Sequence, residues 1–383
     1  MGVSGSQVFA PWVWYAGRAM ATRDGLIVGG GIIGLSLALE LAREKISAVV
    51  LERGEASREA SWAAAGMLAP TSEHHEHTAM DVLVRSSSAL YPEWLAQLRQ
   101  LSPLEVGYRT EGTLAVAFDD SDAAGLANFP GERLTAAELR RLEPALSHRI
   151  ATGVYLNDDQ QVDNRLLMTA LWEAAARAGV GLRPGTEVRA LLSASGRVTG
   201  VQLADKSRIE AGFVVDAAGA WAGQLGKAAA RLAPTRPVRG QMLSLRAESA
   251  PVRHVIRSPR AYILPRASGR LVIGSTMEDA GYDKSVTPAG LAGLLAGAHE
   301  ILPSAAQFAF EEAWAGLRPD TPDHLPILGA TNLENFFVAT GHFRNGILLA
   351  PITARLMTEV LLGRTPSLPL APFSPLRFAT RDS

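Results

Sequence analysis

Short, continuously apolar runs alternate along the chain with longer amphipathic stretches, and this alternation predicts an α/β protein. Residues 26–28 and 48–51 read as strands of a βαβ unit. Residues 78–101 carry helical periodicity, with Leu83, Leu90, Trp94 and Leu98 on one face. Residues 110–118 alternate like a strand, and 138–142 read as a short helix stopped before Pro144. A second α/β stretch follows, with a helix at 165–178, a strand at 186–192 and a hairpin-like pattern over 197–203 and 207–216 that closes on the apolar strand 213–215. Strand signals at 241–245, 261–265 and 270–275 predict a largely antiparallel sheet, followed by a helix at 288–301. The chain ends with a strand at 336–339, a helix at 347–362 and a Pro-rich tail, 366–375, expected to lie along the surface.

The first strand runs directly into Gly29-Gly30-Gly31-Ile32-Ile33-Gly34, and the second ends in Glu52. This is the fingerprint of a dinucleotide-binding turn. Gly29 allows the tight turn, Gly31 leaves room for a pyrophosphate, and Gly34 lets the helix pack on the sheet. A carboxylate about 20 residues further on suits ribose hydroxyls and would repel a 2′-phosphate, which disfavours an NADP-type ligand. The small-residue stretch Ser61-Trp62-Ala63-Ala64-Ala65-Gly66-Met67-Leu68 would let backbone approach a ligand, although taken alone it reads more readily as an Ala-rich helix. The run Asp216-Ala217-Ala218-Gly219-Ala220-Trp221 delivers small residues at the carboxyl end of a strand, where ligands of open α/β sheets gather.

At 383 residues the chain exceeds one ordinary core and suggests two domains. Its 47% hydrophobic and 20% charged content and its formal net charge of −1 describe a globular protein without the basic stripe of a nucleic-acid binder, so small molecules are the expected ligands. The absence of cysteine excludes disulfides, thiolate metal sites, thiol nucleophiles and a cysteinyl link to a cofactor, and it permits a reducing cytoplasm, the expected location. No apolar run is long enough to predict a membrane span. His74-His75-Glu76-His77 lacks the i, i+4 spacing that places two ligands on one helix face, so no metal site is expected. Residues 8–15 are apolar but lack a basic flank and contain a proline, a poor signal peptide, while Met1-Gly2 with Ser6 fits the short myristoylation pattern. Residues 1–19 are read as a dispensable extension before Met20, with a partner-binding arm as the alternative.

Taken in order, the Gly-rich start, the 216–221 run, Tyr262-Ile263-Leu264-Pro265-Arg266, Ala315-Gly316-Leu317-Arg318-Pro319 and the Gly341-His342-Phe343-Arg344-Asn345-Gly346 loop resemble the D-amino-acid-oxidase-like flavoproteins over residues 25–362. The run from Gly341 to Pro351 is similar to their glycine-oxidase branch, which serves thiamine biosynthesis. The resemblance implies a two-domain α/β flavoprotein. A Rossmann-like FAD-binding domain would be assembled from 20–100, 155–228 and 312–365, a substrate domain from 101–154 and 229–311 on the antiparallel sheet, and a tail from 366–383. It further implies non-covalent FAD held by Gly29, Gly31, Ile32, Ile33, Gly34, Glu52, Arg53, Ser61, Ala65, Gly66, Met67, Val188 and Gly219. The closing residues His342, Phe343, Arg344, Asn345, Gly346, Ile347 and Leu348 would complete that site. Where the family tends to carry two hydroxyl residues, this chain has Ala60 and Ser61 followed by Trp62. A helix beginning near Gly346 would offer unsatisfied N–H groups to negative charge on a reduced flavin, although the same pattern suits a glycine-punctuated turn into a surface helix.

Arg318, read as lying on a loop between glycine and proline, is the expected carboxylate grip, because its planar fork matches a carboxylate bidentately. The resemblance adds Tyr262 to the same carboxylate, Arg344 at the substrate through side chain or backbone carbonyl, and Met277 as an apolar wall. The implied reaction is oxidation of the Cα–N bond of glycine, with sarcosine or small D-amino acids as further substrates and dioxygen as acceptor. A sarcosine oxidase or D-amino-acid dehydrogenase of the same family is the nearest alternative. A non-catalytic flavin-binding or tRNA-modifying protein and an NAD-dependent dehydrogenase are more distant ones, and homo-oligomerisation is left open. Deleting residues 1–19 should leave folding and flavin content intact. An insoluble or colourless truncated protein would make the extension a structural element.

Overall fold

The computed structural model describes residues 25–56, 58–70 and 78–378. Residues 1–19 and the histidine cluster at 74–77 lie outside them. Strand Gly25–Val28 sits inside a six-stranded sheet, flanked in parallel by Ala48–Leu51 and Phe213–Asp216. Gly181–Arg183 extends the sheet beyond the former, and Phe336–Thr340 and Ile327–Ala330 extend it beyond the latter, with only the last pair antiparallel. The central strands are apolar because both faces are covered, with Asp216 at a strand end as the exception. Ile27, Val50 and Val215 meet the helices Ile32–Arg43, Ala79–Leu101, Asn164–Arg177 and Gly346–Leu361. Leu26, Val28, Val49 and Val214 face a three-stranded meander that spans Val188–Ala194, Arg197–Leu203 and Arg208–Glu210.

The second sheet has eight strands, in the order Ala309–Asp320, Arg236–Arg246, Arg270–Gly274, Tyr262–Pro265, Val255–Arg257, Thr113–Ala117, Thr152–Leu156 and Glu132–Thr135. All neighbours are antiparallel except Val255–Arg257 with Thr113–Ala117. Alternation divides its two faces. Leu243, Leu245, Ile263, Leu271 and Ile273 pack under the helices Ala136–Leu142 and Pro288–Ile301. Met242, Leu264, Val272 and Trp314 turn the other way, toward Ala63 and Ala65 of the first unit.

Three expectations change. Arg318 is not on a loop. It lies in the twelve-residue strand Ala309–Asp320, opposite Val238, because Gly316 and Pro319 occupy an edge strand that tolerates both. That strand belongs wholly to the eight-stranded sheet, as does Thr152–Leu156, so boundaries at 312 and 155 would cut strands in two. The Pro-rich tail does more than follow the surface, since Phe373 and Phe378 are buried among the core residues of the first unit.

Asp216 ends the strand beside the Gly-rich turn and is fully buried. Its Oδ1 accepts the Ala218 N–H at 3.1 Å, while Oδ2 has no hydrogen-bond partner. Burial pushes its pKa up to about 8. The folded state therefore holds a proton that the unfolded chain, titrating near ~4, releases. This contribution to stability is complete below the unfolded value and is lost as the pH rises toward about 8. Asp216→Asn, which cannot titrate, should flatten the decline in melting temperature of the apo-protein between about pH 5 and pH 8. An unchanged slope would assign that decline to other groups.

Candidate active site

The two sheets meet on a cavity of about 430 Å³. One end is built on the Gly-rich turn. Gly29 has φ +112°, and a Cβ there would stand 2.4 Å from the Ala217 carbonyl oxygen, so only glycine fits between the two strand ends. Gly31, Ile32 and Ile33 line the cavity. Gly34 does not, and instead lets the helix close on Gly29, whose carbonyl oxygen would lie 2.0 Å from an added Cβ. The Ser61 hydroxyl accepts the Ile32 N–H at 3.0 Å, so the single hydroxyl of this stretch supports the start of the first helix. Glu52 accepts N–H groups of Gly30 at 2.8 Å and Gly54 at 3.0 Å, which fixes its carboxylate in the cavity wall.

The stretch after Glu59 folds as a single helical turn, Ala60–Ala63, followed by the short strand Met67–Leu68. Its carbonyls are held from outside the cavity. Asn164 donates to Ser61 and Trp62, the Trp314 indole to Ala63 at 2.9 Å, buried Arg266 to Ala65, and the Val162 N–H to Gly66. Ala65, Gly66 and Met67 thereby line the cavity, as do Arg53, Val188 and Gly219. The Arg53 guanidinium lies 3.7 Å above the Trp221 ring and pairs with Glu59 at 3.0 Å.

The closing loop supplies the remaining wall. His342, Phe343, Arg344, Asn345, Gly346 and Ile347 line the cavity. Leu348 does not: it is buried behind the helix start, where its carbonyl accepts the Ser87 hydroxyl at 2.6 Å. His342 is fully enclosed, 3.0 Å from the Thr353 hydroxyl, and burial lowers its pKa to about 3, so the imidazole is neutral. The helices that start at residues 79, 120, 136, 164 and 288 are capped by their own Thr or Asp side chains. The two long helices that start on the cavity, Ile32–Arg43 and Gly346–Leu361, have neither a capping side chain at their N-cap residue nor an acid in the first turn. Both present positive helix ends to whatever binds.

At the other end, Arg318 crosses the sheet face above Gly240, where a Cβ would stand 2.3 Å from Nη1. It donates to the Thr276 carbonyl at 3.1 Å and the Ser275 hydroxyl at 2.7 Å. The Tyr262 phenol lies over Gly274, where a Cβ would be 2.4 Å from its oxygen, and its hydroxyl approaches Met242 Sδ at 3.9 Å. Gly240, Gly274 and Met242 escaped the sequence reading. A glycine inside a strand is the signal that could have found the first two. Met277 is 66% exposed and covers the edge of the cavity. The Phe343 N–H donates to the Pro319 carbonyl at 2.9 Å, which ties the closing loop to the arginine's strand.

Fold and cavity together define a dinucleotide-binding protein whose cofactor site opens onto an arginine-bearing pocket. A family model described as FAD dependent oxidoreductase matches residues 24–360. Glycine oxidase of Pseudomonas putida is 33% identical over 356 residues, covering 91% of this chain and 97% of that protein. The bifunctional protein ThiO/ThiG of Trichormus variabilis is 38% identical over 372 residues, 94% of this chain and 56% of its own length, so the chain spans about half of such relatives. The crystal structure of glycine oxidase from Geobacillus kaustophilus superposes with a TM-score of 0.87 at 33% identity, covering 92% of this chain and 98% of that one. The chain belongs to the FAD-dependent oxidoreductase family.

The residues present fit FAD. Two helix ends with neither a capping side chain at the N-cap residue nor an acid in the first turn suit its charged parts, the Gly29–Ala217 approach leaves no Cβ in the way, and Glu52 offers a carboxylate for a ribose. Among the described residues no metal-ligand cluster occurs, and no helix is long and apolar enough to cross a membrane. Glu52→Gln should weaken FAD binding by about 1.5–3 kcal/mol through loss of charge-assisted hydrogen bonds. Flavin fluorescence on titration of the apo-protein reads this directly. An unchanged dissociation constant would reduce Glu52 to a clasp for the Gly30 and Gly54 backbone.

Proposed function

We propose that this chain oxidises the Cα–N bond of a small amino acid, glycine foremost and sarcosine or small D-amino acids besides. Dioxygen would be the final acceptor, the products glyoxylate, ammonia and hydrogen peroxide, and the setting thiamine biosynthesis in the cytoplasm. The observation that carries this reading is Arg318, laid flat over Gly240 in the cavity that holds the dinucleotide turn, with Tyr262 beside it. The glycine oxidase names of relatives matched over nearly their whole length support it.

Bound FAD supplies a two-electron acceptor for the hydride that leaves Cα. The chain's own part is binding and orientation. Arg318 grips the carboxylate at two points and Tyr262 adds a hydroxyl, which fixes the direction of Cα–H. Arg344 lines the cavity, and its backbone carbonyl is the group assigned to accept a hydrogen bond from the amine. An amine that enters unprotonated needs no protein base, and the neutral His342 adds no competing charge beside it. Met277 shields the pocket with an apolar side chain that strengthens the polar contacts behind it.

Arg318→Lys keeps the charge but loses the planar two-point grip, so kcat/KM for glycine should fall by about 10- to 100-fold, chiefly through KM. Tyr262→Phe should cost only several-fold. Anaerobic flavin reduction at low glycine concentration checks both. Parental behaviour of Arg318→Lys would move the carboxylate elsewhere, with the Arg344 side chain as the next candidate.

A further inference from the structure

One segment of the eight-stranded unit reaches across to the dinucleotide unit. Residues 276–287 run between the strand Arg270–Gly274 and the helix Pro288–Ile301, and both of their ends are rooted on the strand Arg236–Arg246. Arg239 and Glu278 exchange backbone hydrogen bonds at 2.9 and 3.0 Å. The Arg239 guanidinium donates to Glu278 and to Asp283, each at 2.7 Å. Gln241, fully buried, donates to the Glu278 carboxylate and accepts the Thr287 N–H, again at 2.7 Å each. Two buried side chains of a core strand thus fix where the segment starts and where it stops.

Between its roots the segment lies against the other unit. The Tyr282 hydroxyl donates to the Ala220 carbonyl at 2.9 Å, and its ring packs on Trp221 with the centroids 5.5 Å apart. Lys284 pairs with Glu59 at 3.1 Å. These two contacts converge on one group, because Trp221 carries the Arg53 guanidinium on its ring and Glu59 is the ion-pair partner of that guanidinium. Ala220, Trp221, Glu59 and Arg53 all line the cavity, and Arg53 directly follows Glu52.

The tip is held far less firmly than the roots. Residues 281–285 are exposed, Tyr282 to 44%, and the Lys284–Glu59 pair is open to water. Exposed ion pairs contribute little, and segments with few buried contacts open at a fraction of the cost of unfolding. The tip is therefore free to leave the dinucleotide unit while Arg239 and Gln241 keep its ends in place.

We propose that residues 279–285 form a strap that gates FAD exchange, with Tyr282 and Lys284 as positioning residues that act through Trp221, Glu59 and Arg53. Opening the strap releases both holds on Arg53 at once, so the closed form binds FAD more tightly than the open one. By linkage, bound FAD favours the closed form by the same factor. This role is independent of the substrate and goes beyond the glycine reading.

Two measurements test it. In the holo-protein, FAD release on dilution is followed by the recovery of flavin fluorescence. Lys284→Met should release FAD roughly two- to fivefold faster than the parent, and Tyr282→Ala about tenfold faster. Tyr282→Phe, which keeps the ring and loses the hydrogen bond to Ala220, should fall between Tyr282→Ala and the parent. Lys284→Arg retains the ion pair and should release FAD at the parental rate. In the unaltered chain, adding FAD to the apo-protein should slow amide hydrogen exchange over residues 279–286 by about fivefold or more, relative to the exposed turn 204–207, which lies off the cavity. Parental release rates in Tyr282→Ala and Lys284→Met with full flavin content overturn the proposal. Strap amides that exchange equally fast with and without FAD overturn it as well, whether or not any variant folds. No substrate enters either measurement, so a failed glycine assay leaves their outcome untouched.

Discussion

The closeness of two backbones governs this molecule. The small-residue turn after Glu59 is squeezed between the dinucleotide sheet and strand Ala309–Asp320, where a Cβ on Gly316 would sit 2.4 Å from that of Ala63. Protein interiors are close-packed, so this approach admits no larger side chain without displacing one wall. Hydrogen bonds from Asn164, Trp314 and Arg266, contributed by three separate segments, fasten the turn's carbonyls to both units. The cofactor wall and the substrate wall are thus held at a fixed spacing by groups that need touch neither ligand.

That spacing sets the electrostatics of the cavity. Two helix ends with no acid in their own first turn, and an imidazole kept neutral by burial, make the cavity wall receptive to negative charge without placing a formal cation in it through histidine. At the other end of the cavity the Arg318 guanidinium lies over Gly240. A ligand with an anionic centre at one end and a carboxylate partner at the other is matched at both, which explains why one continuous cavity serves both.

The parallel strands were legible in the sequence because both of their faces are apolar, and the Gly-rich turn because glycine is sterically required beside Ala217. The helices at 79–101, 164–177 and 288–301 were legible from the sequence pattern, and the Thr78, Asp163 and Thr287 side chains that cap them agree with it. Arg318 and Tyr262 were singled out by side-chain chemistry and resemblance, and their setting on the sheet was not legible. The strand carrying Arg318 reads as a loop because Gly316 and Pro319 break its pattern. The glycines beneath both residues have meaning only once register brings strands far apart in sequence side by side. Short strands such as Val255–Arg257 hold too few residues to show a period at all.

The strand order of the first sheet also has a temporal side. Phe213–Asp216 is covered on one edge by Gly25–Val28, already made, and on the other by Phe336–Thr340, more than a hundred residues downstream. Until synthesis reaches that later strand, an apolar parallel edge stays open, and the helix Gly346–Leu361, which seals the face above it, is still inside the ribosome. Cofactor capture thus waits until the strand Phe336–Thr340 and the helix Gly346–Leu361 have been made. A transcript cut short before residue 336 yields a sticky half-sheet in place of a smaller flavoprotein.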